Sequence, residues 1–196
     1  KQISGDTLRV MNCDFNVPTK KGTQLNIAGS LIVPIVNDKR ELVNCQIIKP
    51  DGFKMFLLDA QIIGCYHAIG APKQGEAILI GEGYATMATL SDATSLAAVV
   101  AFNAGNLLAV AQVIEFLYPD NPKIICADND WHLNCTKIGN AGIIKAAAAA
   151  SAVGCNFIAP DALRGVTDWN DLDVIYGRPE LMKQLNSKKC LHNIMS

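Results

Sequence analysis

EAILIGEGYATMATL, residues 76–90, runs an apolar strand into a Gly81–Glu82–Gly83 turn and then straight into a helix-compatible segment. The strand part is apolar without alternation, as expected of a strand covered on both faces. Two glycines around one acid let the chain turn sharply and leave the backbone open to close approach. This strand, acidic turn and helix set the terms for the rest of the chain.

The same succession recurs downstream. AAVVAF (97–102) leads into NLLAVAQVIEFL, KIICA (123–127) into AGIIKAAAAASAV, and CNFIA (155–159) into the segment from Asp171 onward. Successive β-then-α units of this kind predict an α/β fold with a mostly parallel sheet and helices on both faces. Upstream, LIVPIV (31–36) and ELVNCQIIK (41–49) are joined by the polar NDKR, and a PDG turn (50–52) leads into FKMFLL. These read as a small antiparallel β segment, with Pro34 calling for an edge position or a bulge because proline cannot donate to a ladder. The expected organisation is 1–75 mainly β, 76–177 the α/β domain, and 178–196 a helical tail.

The 196 residues suffice for one principal core, half of them are hydrophobic, and 18% are charged, which argues against disorder. No apolar run approaches the about 18 to 20 residues of a membrane span, so no membrane partner is expected. The chain opens at Lys1 with no leader pattern, which predicts an excised piece of a longer cytoplasmic protein. Seven cysteines, an odd number without a CxxC pair, fit reduced thiols. The pairs Cys65 with His67 and His132 with Cys135 lack the second pair that tetrahedral zinc requires. Net charge is −1, so the chain as a whole carries no electrostatic footprint for nucleic acid.

In an open α/β sheet the ligand site lies beyond the carboxyl ends of the strands. Three loops there are acidic: Glu82 after the first strand, Asp128 and Asp130 after the third, Asp168 and Asp171 after the fourth. Carboxylates gathered on one rim repel unless a cation joins them, and oxygen-only ligands point to Mg²⁺ or Mn²⁺. Asp128 and Asp130, two apart in an extended segment, would face one ion together. Simpler readings stand beside these. Glu82 also suits a helix N-terminus, a lone DxD also suits a turn, and Asp168 and Asp171 also suit turn and capping positions. Asn103 and Asn106 suit turn and cap positions as well as ligand contact.

Order and spacing then add a resemblance. The string ILIGEGYATMATL (78–90), with VVAFNAGNL (99–107), IICADND (124–130), the N-A-G-x-x-K-A-A helix start and TDWNDL (167–172), resembles the TOPRIM domain, most closely the primase branch of conjugative plasmids and phages. The resemblance implies a Rossmann-like TOPRIM fold. It implies Glu82 as general acid or base and as a ligand to a second metal, Asp128 and Asp130 as ligands of Mg²⁺ (or Mn²⁺), and Asp168 and Asp171 as a supporting acidic site. Lys54, Gly81, Gly83 and Asn106 are the expected nucleotide or DNA contacts. The implied function is primer synthesis by nucleotidyl transfer, with single-stranded DNA template and nucleoside triphosphates as partners and a helicase module or other replication proteins beside it. Trp131 to Asn140 departs from the pattern by separating DxD from the alanine-rich helix. Rival readings are a TOPRIM nuclease or topoisomerase, a haloacid dehalogenase-type phosphatase, which favours Thr or Val where His132 stands, and a non-catalytic docking module.

Overall fold

The structure, a computed structural model, describes residues 8–133 and 139–188; Cys135, Lys189, Cys190 and the middle of the Trp131–Asn140 segment lie outside the described residues. The chain forms two compact units, 1–67 and 68–196.

The first unit carries a four-stranded antiparallel sheet in the order β1 (Arg9–Val10), β4 (Leu31–Val36), β5 (Leu42–Ile48), β6 (Lys54–Phe56), and a separate hairpin of β2 (Asn16–Pro18) and β3 (Gln24–Asn26). Pro34 does not lie on an edge strand by sheet order. β1, however, pairs only with Leu31 and Ile32, and the β4–β5 register shifts just past Pro34, between Ile35 and Val36. The proline is thus tolerated beyond the reach of the short neighbour and beside an irregularity. A cluster of Val17, Ile27 and Ile47 packed by Met11, Leu25, Ile32, Cys45 and Met55 forms the apolar centre of this unit.

The second unit holds a five-stranded sheet in the order β11 (Asn156–Ile158), β10 (Lys123–Cys126), β8 (Ile78–Gly81), β9 (Ala97–Val100), β7 (His67–Ile69). The pairings β11–β10, β10–β8 and β8–β9 are parallel, and β8, β9 and β10 are buried at every position, as their unbroken apolar sequences dictate. α1 (Tyr84–Thr94) packs with α4 (Trp169–Tyr176), and α2 (Leu107–Leu117) with α3 (Ala141–Ala152), giving the expected helices on both faces. α5 (Arg178–Ser187) packs on α4 and buries Leu181 and Leu185. Arg178 ties it down, bonding Asp173 at 2.8 Å and Asp92 of α1 at 3.0 Å. Among the described residues no helix is long and apolar enough to cross a membrane.

Strand order fixes where a ligand belongs. From β8 the chain first moves to β9 on one side, then crosses to β10 on the other. The order therefore reverses at the β8–β10 pair, the position at which open α/β sheets form their crevice. Glu82 follows β8 and Asp128 follows β10, so both stand at this switch point.

Candidate active site

Where β8 ends beside β10, position 81 has no room for a side chain. A Cβ on Gly81 would meet the sulfur of Met87 from α1 and stand 2.9 Å from the Cys126 carbonyl oxygen. The next residue, Glu82, is thereby held over the end of the sheet. One side of its carboxylate takes the Ala104 backbone N–H from the loop after β9. Its Oε1 is buried and accepts no hydrogen bond. Burial pushes the Glu82 carboxyl above the ordinary glutamate range, and the nearby charge of Asp130 pushes it further in the same direction, against the Ala104 hydrogen bond. Residues 48 apart in sequence thus share one electrostatic environment.

Asp128 and Asp130 lie in the loop after β10, and Oδ1 of Asp128 is buried. The segment is not simply extended. Trp131 N–H donates to the Asn129 carbonyl at 2.8 Å, which closes a three-residue turn around Asp130. Asp168 caps α4, accepting from Asp171 N–H at 2.8 Å, and also takes the Thr86 hydroxyl of α1. Burial pushes the Asp168 carboxyl up, while these hydrogen bonds oppose the rise. Asp171 folds back to accept from Thr167 N–H at 3.1 Å and Thr167 Oγ1 at 2.7 Å, and Thr89 Oγ1 donates to Asn170 at 3.0 Å. TDWNDL is therefore a brace, fastened to α1 through Thr86 and Thr89.

The remaining candidates fall elsewhere. Gly83 is the N-cap of α1 with ordinary extended dihedrals, so its glycine is not demanded by backbone conformation. Asn106 is fully buried, and its Nδ2 donates to Ala101 O at 2.9 Å, holding the loop from which Ala104 reaches Glu82. Lys54 belongs to the first unit, where it borders a cavity of about 630 Å³ with Lys20, Lys21, Thr19, Thr23 and Phe53.

Sequence reading alone missed Thr86 and Thr89, one turn apart on α1, as well as Asn129, Asn140 and Gly142. Thr86, Asn140 and Gly142 are polar or side-chain-free residues at buried positions, whereas Thr89 and Asn129 are only part-buried and carry no such signal.

Residues 77–178 match the family described as the Toprim domain. The chain belongs to the Toprim domain family. Two curated relatives, each a DNA primase TraC of Escherichia coli, are 43% identical over 118 residues and 41% identical over 131 residues. These matches bear out the resemblance to the plasmid primase type. They cover 59% and 65% of this chain but only 11% and 9% of the relatives, so this Toprim chain spans about a tenth of their length. Its fold is similar to that of the primase fragment of the bacteriophage T7 primase-helicase protein, with a TM-score of 0.56 at 15% identity, covering 86% of this chain and 65% of that one. It is similar also to the DnaG primase catalytic domain bound to ssDNA, with a TM-score of 0.55 at 15% identity, covering 88% and 57%.

The Toprim family implies a divalent ion, and the residues present fit one. Glu82 offers a buried carboxylate oxygen with no donor, beside the like charge of Asp130, in an oxygen-only set. Among the described residues no group of three or more His, Cys, Asp or Glu side chains is placed to hold a metal ion by itself, so an ion here would take much of its coordination from water and phosphate. An open set of this kind suits magnesium, which keeps waters and shares phosphate oxygens with its substrate.

Proposed function

We propose that this Toprim domain performs the nucleotidyl transfer of a DNA primase, extending primers on single-stranded DNA from nucleoside triphosphates as one part of a longer plasmid or phage replication protein acting in the cytoplasm. The observation that carries the reading is the buried, orphaned Glu82 Oε1 at the switch point of the sheet, on a carboxyl that feels the Asp130 charge. Asp128, Asp130 and Glu82 would hold Mg²⁺ or Mn²⁺, which supplies neutralisation of the triphosphate charge and polarisation of the α phosphoryl group.

The chain's own residues do the rest. Glu82, its carboxyl raised by burial, is suited to hold or release a proton at the attacking hydroxyl. Asp168, tied to α1, keeps the acidic loop after β11 in place beside the rim. Gly81 and Gly83 leave the backbone around Glu82 without bulk. In the first unit, Lys54 with Lys20 and Lys21 offers charge for template phosphates, and Phe53 a face on which a base can stack. A helicase module is the expected neighbour in the longer protein.

Glu82→Gln tests the assignment. It should abolish primer synthesis on single-stranded DNA while circular dichroism stays native. Full synthesis by the variant would remove Glu82 from the chemistry. Plasmid nicking or phosphate release by the wild-type chain, without primer synthesis, would instead favour the nuclease or phosphatase reading.

A further inference from the structure

Asn129 sits between two aspartates, where a spacer is expected, yet its bonds run to three separate parts of the second unit. Its N–H donates to Thr167 O at 2.6 Å, the residue just before Asp168. Its Nδ2 donates to Pro160 O at 2.7 Å, beyond the end of β11. Its Oδ1 accepts from Asn140 Nδ2 at 2.8 Å, across the whole Trp131–Gly139 segment. Asn140 is buried, and its own Oδ1 accepts from Ile143 N–H at 3.3 Å as the N-cap of α3.

Neither amide can be turned around. The Pro160 carbonyl only accepts, so Nδ2 of Asn129 must face it. The Ile143 N–H only donates, so Oδ1 of Asn140 must face that. The two remaining amide atoms then meet as donor and acceptor.

We infer that Asn129 and Asn140 form an amide clamp that positions Asp128 and Asp130 as ion ligands. The inference rests on the metal site proposed above. Carboxylates at one rim repel and would drive their loop outward in the absence of an ion, so something must hold the loop before the ion arrives. A lysine or arginine brace would hold it but would also cancel part of the charge that attracts the ion. Two neutral amides hold it and leave the negative potential whole. Orienting groups behind metal ligands typically carry about 10- to 100-fold in metal affinity. Through Thr167 the same asparagine joins this loop to the Asp168 brace and so to Thr86 of α1.

The test is Mn²⁺ binding to the full chain, followed by the electron paramagnetic resonance signal of the free ion, without nucleotide. Four proteins are compared: wild type, Asn129→Ala, Asn140→Ser and Asp130→Asn. Serine caps a helix about as well as asparagine but cannot donate an amide hydrogen to Asn129, so Asn140→Ser separates the clamp from helix capping. The expected result is a Kd raised about tenfold in Asn129→Ala and severalfold in Asn140→Ser, with the unfolding midpoint of Asn140→Ser unchanged and binding lost in Asp130→Asn. Should Asn129→Ala fail to fold, Asn140→Ser decides alone. Wild-type affinity in both folded clamp variants, with binding still lost in Asp130→Asn, overturns the clamp and leaves the metal site standing. Equal binding by wild type and Asp130→Asn, or none by either, removes the metal site and the clamp together.

Discussion

Gly142, the second residue of α3, lies against Asp128 so closely that a Cβ on it would stand 2.5 Å from the Asp128 carbonyl oxygen and 3.4 Å from the Asp128 Cβ. The start of the alanine-rich helix therefore rests directly on the acidic loop, and the glycine of the N-A-G motif is there for space. Its conformation is ordinary helix.

Gly142→Ala should accordingly separate folding from activity. Alanine favours the helix by about 1 kcal/mol, while overpacking against backbone costs about 1 to 3 kcal/mol, so net stability should fall by no more than about 2 kcal/mol. Displacing Asp128 by a fraction of an ångström should cost primer synthesis at least about tenfold, since small misplacements of reacting groups have large effects. Thermal unfolding and primer extension on one preparation check both; unaltered synthesis would show that Asp128 has room to spare.

Glu82 should be a destabilising residue at neutral pH. Its carboxyl is raised in the folded state, first by burial and then by Asp130, so between the ordinary glutamate value of roughly 4.3 and its higher native value the folded chain binds more protons than the unfolded one. Stability from this group is complete below that window and is lost as pH rises through it. Glu82→Gln removes the loss and should raise stability near pH 7 by about 1 kcal/mol, the usual gain from relieving a functional site. Urea unfolding of both proteins from pH 4 to 8 is the check, and the curves should meet at the acid end.

At the opposite end of β10 a second buried charge is structural. The Lys123 side chain is 3% exposed and its ammonium bonds Tyr118 O at 2.6 Å, Pro119 O at 3.4 Å and Glu115 at 2.6 Å, closing the C-terminus of α2. A cation there satisfies carbonyls that the helix cannot. Lys123→Met should cost about 2 kcal/mol, the range of charged hydrogen bonds, with Glu115 returning to water. Folded Lys123→Met should keep its Mn²⁺ affinity, because the lysine lies a strand's length from Asp128; a large change in Kd would contradict that separation.

The sequence shows the second unit's sheet clearly because parallel strands buried on both faces are unbroken apolar runs, and the residues after them name the rim. EAILIG, AAVVAF, KIICA and CNFIA therefore give β8 to β11 within a few residues. Less is legible where one residue type serves two ends. Asp168 and Asp171 suit capping and ion binding equally, and only the bonds from Thr86 and Thr167 show what holds them. Because Asp168 is the cap, α4 begins at Trp169, ahead of the start expected at Asp171. Asn129 reads as a spacer since nothing local to it signals Asn140 or Pro160. Pro34 asks for an edge or a bulge, and the structure answers with the register shift just past it and the short reach of β1, a choice that a single proline does not encode.

The Thr86–Asp168 bond joins the helix after Glu82 to the loop before α4, and its removal should be read most clearly in pH dependence. Thr86 is buried, and valine matches its shape without the hydroxyl. Loss of that donor takes away one of the interactions that hold the Asp168 carboxyl down while burial continues to push it up, so Asp168 should keep its proton to a higher pH in Thr86→Val. Stability should drop by about 1 kcal/mol near pH 7, the value of one ordinary hydrogen bond, and the gap should narrow as acid protonates Asp168 in both proteins. Where Asp168 must be ionised for synthesis, the acid limb of the pH–rate profile moves to higher pH. A double-mutant cycle of Thr86→Val with Asp168→Ala should return a coupling of about 1 kcal/mol. Strict additivity would mean that the two side chains do not act on one another in solution, and the brace would then rest on Thr89 and Asn170 alone.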